Sequence, residues 1–166
     1  MRSLSDICEY RKGKVLVSEL NRETYISTEN LLPNKGGLAV ATSLPTTEKT
    51  QEAKEGDVLV SNIRPYFKKI WQADKDCGCS NDVLVFAAKE GVDPVFLYYV
   101  LADDRFFNYS TNSAKGTKMP RGDKTAIMQY QVPEYDLRTQ VLIGDFLRGL
   151  DQKIKVNEEI NRNFAA

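Results

Sequence analysis

The sequence predicts an α+β protein: a mixed, mostly antiparallel sheet with short helices over residues 1–134, then a long helix over 135–166 that pairs as a coiled coil. Short β-branched runs such as Val58-Leu59-Val60 recur between turn signals. Asp93-Pro94 places an N-cap before a proline at the first helical position. From Asp136 onward the apolar residues keep helical spacing with no proline among them.

In chain order, Ser3 caps a short helix through Ile7, with Asp6 at the capping-box position, and Lys12-Gly13-Lys14 breaks the chain after it. Tyr25 to Thr28 reads as a short strand, Leu32 to Gly37 as a loop, and Leu38 to Thr42 as a second β-leaning run. Residues 43–55 are polar and unpatterned and read as a surface loop. After the Gly56-Asp57 turn, Val58 to Asn62 reads as a strand buried on both faces, and Pro65 bars a central ladder position. Lys68 to Ala73 resumes as a strand, Asp74 to Asn81 turns, and Asp82 to Ala88 is a second buried strand. Val95, Tyr98, Tyr99, Ala102 and Phe106 fall at helical spacing and read as core. Residues 110–125 are too rich in small polar types for a regular element, and Ile127 to Val132 reads as a last strand before Pro133.

The final helix, from about 137 to 164, would be roughly 40 Å long, more than a small domain needs to cover its core. Ile143, Leu147, Leu150, Ile154, Asn157, Asn161 and Phe164 fit a heptad seam with two polar layers. The alternative is one amphipathic helix docked on its own domain.

Composition narrows the chemistry. The 166 residues include no histidine and three cysteines, Cys8, Cys77 and Cys79. That excludes His-based triads and leaves Cys77-Gly78-Cys79 short of a four-ligand zinc site. Free thiols in a reducing compartment fit better than a disulfide scaffold. No Walker-type or dinucleotide-binding glycine motif occurs, so no cofactor is expected. Asn62-Ile63-Arg64-Pro65-Tyr66 has a faint likeness to an amino-methyltransferase motif but lacks its second proline. No membrane span is expected, and the N-terminal residues lack the apolar core of a signal peptide, which predicts a cytoplasmic location.

Net charge is zero, with 23 basic and 23 acidic side chains. The distribution is uneven. Arg105, Lys115, Lys118, Arg121 and Lys124 against Asp123 make residues 105–124 locally +4, and Arg64, Lys68, Lys69 and Lys75 against Asp74 make 64–75 locally +3. Convergence of the two stretches would create a one-sided anion-binding face. Arg64, Lys68, Lys69, Lys115, Lys118, Arg121 and Lys124 would then line it. Most would hold phosphates, with Arg64 and Arg121 placed to bond guanine bidentately. Tyr66 would stack on a base, bond a phosphate, or simply sit half-buried on its strand. The 43–55 loop offers further polar donors.

Several segments, taken in order, resemble the specificity subunit of type I restriction–modification systems: Tyr25 to Leu31, Gly56 to Pro65, Gly116 to Arg121, and Val132-Pro133 followed by Gln140, Ile143, Leu150-Asp151, Lys153 and Ile154. The resemblance implies a non-catalytic reader of double-stranded DNA, with two target-recognition domains joined by two long antiparallel helices. It also implies two methyltransferase subunits supplying the methyl-transfer chemistry and a restriction subunit joining for cleavage. This sequence holds one recognition domain and one helix, about half that layout, which fits a natural half-subunit or a fragment of a longer subunit alike, and homodimerisation through the helix is expected. A helix-mediated interaction module without DNA specificity and an enzyme of unrecognised type are the competing readings.

Overall fold

The computed structural model describes residues 1–166. The strands are β1 (Arg2–Ser3), β2 (Cys8–Tyr10), β3 (Lys14–Leu16), β4 (Tyr25–Ile26), β5 (Lys49–Ala53), β6 (Val58–Ser61), β7 (Ile70–Gln72), β8 (Cys77–Cys79), β9 (Val83–Ala88) and β10 (Gln131–Val132). The helices are α1 (Leu4–Ile7), α2 (Pro94–Ala102), α3 (Asp104–Ser113), α4 (Lys124–Ile127) and α5 (Leu137–Ala165).

The strands form two four-stranded sheets, ordered β2-β9-β6-β7 and β3-β5-β8-β4, and a small β1-β10 pair. Every pairing is antiparallel except β4 with β8. The first sheet is the middle layer. Val58, Val60, Leu84 and Phe86 point into a core shared with α1, α2, α3 and α4, while Leu59, Val83 and Val85 point into a second core with Ile26, Ala53, Cys77 and Cys79. Strict alternation between two apolar environments explains why β6 and β9 are continuous hydrophobic runs although their pairing is antiparallel.

The predicted α+β class, mostly antiparallel strands with short helices, is the observed one, and the long helix runs where its periodicity placed it. The expected α2 start is present: the Asp93 carboxylate accepts from Phe96 N at 2.9 Å. At α1 the Ser3 N–H donates to the Asp6 carboxylate at 2.8 Å. Other expectations fail for identifiable reasons. Residues 43–55 are not all loop, because β5 sits inside the second sheet with Thr50 and Ala53 buried. It reads Lys-Thr-Gln-Glu-Ala, with no alternation of apolar residues, which makes the segment look unpatterned. Residues 74–81 contain β8 rather than turn alone, and Leu38 to Thr42 makes only an isolated bridge between Leu31 and Leu38. Residues 127–132 are not one strand. Asp123 accepts from Thr125 N and Ala126 N and nucleates α4, so only Gln131–Val132 remains extended. Residues 110–125 are likewise more ordered than their composition implied, since α3 runs to Ser113 and α4 starts at Lys124. Of the helical positions expected in the core, Ala102 of α2 and Phe106 of α3 are buried, whereas Val95, Tyr98 and Tyr99 are half-buried and Phe96, Leu97 and Leu101 take the inner face of α2. No helix is long and apolar enough to cross a membrane.

The α5 helix begins at Asp136, whose carboxylate accepts from Thr139 N at 2.7 Å. Its first half docks on α2. Gly144 is buried against Asp93 and Val95, and Gln140 is buried as well. Two polar contacts follow along the same face: Tyr99 donates to Asp151 at 2.6 Å and Arg148 donates to Gln72 Oε1 at 2.7 Å. Beyond residue 150 every side chain is exposed, so the helix projects as a strut.

Candidate nucleic-acid interface

Two loops distant in sequence meet at one end of the first sheet. One is the β6–β7 connection, which Pro65 forces out of the ladder into a single 3-10 turn, Pro65–Phe67. The other is the segment between α3 and α4. Arg64 N donates to the Pro120 carbonyl at 2.8 Å, and the Arg64 guanidinium donates to the Lys118 carbonyl at 3.2 Å. Isolated bridges pair Ile63 with Arg121 and Lys115 with Arg121. Buried Asn62 adds a stitch by donating from Nδ2 to the Gly122 carbonyl at 3.2 Å. The two basic stretches are therefore held together by hydrogen bonds to backbone carbonyls.

A third loop joins them. Asn34 N donates to the Phe67 carbonyl at 2.8 Å, and Lys35 N donates to the Lys68 carbonyl at 2.7 Å. The non-glycine residues with positive φ are Asn34, Lys35, Arg64 and Lys68, at 55°, 58°, 49° and 52°, and all four lie in these two loops. Left-handed backbone is costly for side-chain-bearing residues, and such strain gathers where geometry serves a function. Here it turns Lys35 and Lys68 toward each other and presents Tyr66 and Phe67, both exposed, as an edge-to-face pair 4.9 Å apart.

The cations differ in what they touch. Arg64 and Lys118 make no ion pair, and Lys69 Nζ donates to the Thr28 carbonyl. Lys68 and Lys35 both bind Asp104 Oδ1, at 3.1 and 2.9 Å. Arg121 binds Asp82 at 2.9 Å, and Lys115 binds Asp123 at 2.9 Å. Lys35 and then Lys68 hold the Asp104 carboxyl below the usual carboxylate range, and Asp82 raises the Arg121 guanidinium further. Lys124 stands apart: its carbonyl accepts from the Tyr10 hydroxyl on β2, and no hydrogen bond or ion pair joins it to the 62–69 loop. Of the 43–55 donors, Thr50 and Gln51 are committed inside the fold, bonding the Cys79 carbonyl at 2.6 Å and the Val83 carbonyl at 2.8 Å, whereas Thr46, Thr47 and Lys49 are exposed. Residues 39–45 and the 27–30 turn line a polar cleft of about 400 Å³ that also reaches Asp82.

Charge counting missed Lys35, Phe67 and the carboxylates Asp82 and Asp104. Asn34-Lys35 before paired glycines was a visible turn signal. The pairing of Asp82 and Asp104 with distant cations leaves no local trace in the sequence. The thiols offer no chemistry here, since burial pushes Cys8, Cys77 and Cys79 each up to about 12.

The predicted helix seam divides. Ile143 and Leu147 are half-buried beside Phe96, Tyr99 and Tyr135 of the domain, whereas Leu150, Ile154, Asn157, Asn161 and Phe164 are exposed. Leu142, Phe146, Leu150, Ile160 and Phe164 are exposed on the face turned away from Gln140 and Gly144.

Comparison with known proteins supports one reading of this arrangement. Residues 1–163 match the family model described as type I restriction modification DNA specificity domain. The fold is similar to the HsdS subunit from Thermoanaerobacter tengcongensis, with a TM-score of 0.70 at 20% identity over 95% of this chain and 43% of that one. It is also similar to the type I restriction–modification S subunit from M. genitalium, with a TM-score of 0.64 at 19% identity over 98% of this chain and 42% of that one. A third similar structure comes from work on complex assembly and conformational transition of the type I R-M system, with a TM-score of 0.62 at 15% identity over 93% of this chain and 38% of that one. The chain thus spans about two fifths of the length of the structures it matches. No curated protein matches the sequence.

Proposed function

The chain belongs to the type I restriction modification DNA specificity domain family, and on that premise we propose that it reads one half of a bipartite site in double-stranded DNA. The observation that carries this reading is the stitching of the 62–69 and 115–122 loops into one cationic face. Lys68, Lys69, Lys115 and Lys118 serve as phosphate contacts, and Arg121 faces base edges. Arg64 spends one guanidinium nitrogen on the Lys118 carbonyl, so it positions the second loop and retains its other donors for DNA. Tyr66 and Phe67 supply an apolar tip that stacks on or wedges beside exposed bases. Lys124 is the least supported member of the set.

Residues 1–134 act as the recognition domain and 135–166 as the spacer and pairing helix. The chain itself is non-catalytic. Methyltransferase subunits dock on the helix and supply methyl transfer, and a restriction subunit joins the full assembly. The exposed apolar row Leu142, Phe146, Leu150, Ile160 and Phe164 supports helix pairing, including a homodimer that would present two recognition domains. A helix-only interaction module is the competing reading.

The test is duplex binding by the isolated chain, read by fluorescence anisotropy across a salt series, followed by selection from a random duplex pool. Salt-dependent binding with an enriched motif is expected. Arg121→Ala should weaken enriched-site binding by about 1–3 kcal/mol, and Lys118→Ala should lower the salt slope by about one. Absence of any salt-dependent binding leaves the helix-only module. Light scattering tests pairing: a strict monomer at high concentration counts against the homodimer.

A further inference from the structure

We propose that Asp104 is a specificity-determining residue: in the free protein it occupies two lysines that would otherwise take a DNA phosphate. The inference rests on the DNA-reading function above and concerns how that face is restrained.

Lys35 and Lys68 come from different loops and bind the same carboxylate oxygen, at 2.9 and 3.1 Å. Both have left-handed backbone, and the loops carrying them are tied through Lys35 N to the Lys68 carbonyl. The backbone therefore sets the two lysine stems side by side, within reach of a shared anionic oxygen, and Asp104 supplies that oxygen. Asp104 sits in the first turn of α3, where the helix dipole favours negative charge. Its side chain is 57% exposed, so it lies at the surface, where an incoming phosphate reaches the same lysines.

The pattern repeats across the face. Asp82 pairs with Arg121 and Asp123 with Lys115, which leaves Arg64, Lys69, Lys118 and Lys124 as the cations of the set free of carboxylates. Affinity for any phosphate backbone grows with each cation that releases counterions, whatever the sequence. Base-edge contacts do not depend on Lys35, Lys68 or Lys115, the cations whose role is to hold phosphates. Neutralising the phosphate clamps from within lowers binding to every sequence and raises the share of affinity that only the correct bases supply.

The test uses the full chain and a labelled random-sequence duplex, titrated by anisotropy over a potassium chloride series. Asp104→Asn is isosteric. Asp104→Ser repeats the measurement should the first variant fold poorly. Random-duplex binding is expected to tighten roughly tenfold at about 0.1 M salt, with a salt slope steeper by about one to two. In a Lys35→Asn, Lys68→Asn background, where asparagine tolerates the left-handed backbone, removing the carboxylate should change nothing. Wild-type and Asp104→Asn curves that superimpose overturn the masking while leaving DNA reading intact. A gain that persists without the two lysines also overturns it, assigning the effect to overall charge. Failure of every form to bind duplex removes the DNA-reading function and the masking together.

Discussion

Gln140 fixes the angle at which the strut leaves the domain, and its removal should be measurable. The side chain is 1% exposed. Its Oε1 accepts from Asp93 N at 3.0 Å, and its Nε2 donates to the Tyr135 carbonyl at 2.9 Å. One amide thus ties α5 to the cap of α2 and to the segment leading into α5. Gln140→Ala loses two hydrogen bonds, each with a net contribution of about 0.5–1.5 kcal/mol, and strands two partly buried backbone groups. Alanine returns only a few tenths of a kcal/mol in helix propensity. A net loss of about 2–3 kcal/mol is expected, measured as a fall in urea midpoint at constant slope. Gln140→Glu should be at least as damaging at neutral pH, because a carboxylate cannot donate to Tyr135 and would face Asp93. Leu142→Ala, on the outer face with 62% exposure, should cost less than about 0.5 kcal/mol. A Gln140→Ala loss below that figure, or one matched by Leu142→Ala, would refute the reasoning that this amide docks the helix.

Gly144→Ala should destabilise by about 1–2 kcal/mol despite its better helix propensity, because the new Cβ lies 2.9 Å from Asp93 Oδ2 and 3.2 Å from Val95 Cβ; thermal melting checks the sign. Asp57→Ala should cost about 3 kcal/mol by denaturant titration, since it strands Arg11, which donates from Nε and Nη2 at 2.7 Å, and the Lys54 N–H. The three thiols, held near 12 by burial, should resist a thiol reagent at mildly alkaline pH until denaturant is added. Hydrogen bonds hold Asp6, Asp103, Asp123 and Asp136 below the ordinary value of 3.8. Their stabilisation is therefore complete above that value and lost as pH falls through the lower folded values, so circular dichroism should show a plateau at neutral pH and melting only on the acid side of about 4.

The sequence was most legible where one residue type has one dominant outcome. β6 and β9 stand out because valine, leucine and phenylalanine fill cores on both faces of the middle sheet. α5 stands out because its period is unbroken. The second sheet was hidden by its composition. β5 reads Lys-Thr-Gln-Glu-Ala, and its burial depends on Thr50 sending a hydroxyl to the Cys79 carbonyl. β8 carries Gly78 at its centre, a signal usually read as a turn. Here a side chain at that position would strike Leu20, Thr50 and Val15, so the glycine allows close covering of a strand. At the candidate site, local charge density located the basic loops, and the resemblance ordered them. The neutralising carboxylates were illegible because Asp82 is 39 residues from Arg121 and only folding brings them together.

The small β1–β10 pair has a consequence for how such a module is reused. Arg2 lies opposite Val132, so the polypeptide enters and leaves the globular part side by side, at the root of the strut. A cassette with adjoining seams can be lifted from one helical frame and set into another without threading the backbone across its interior. Exchange of the globular part would then leave the length and direction of the projecting helix unchanged, because both its seams lie at the root of that helix.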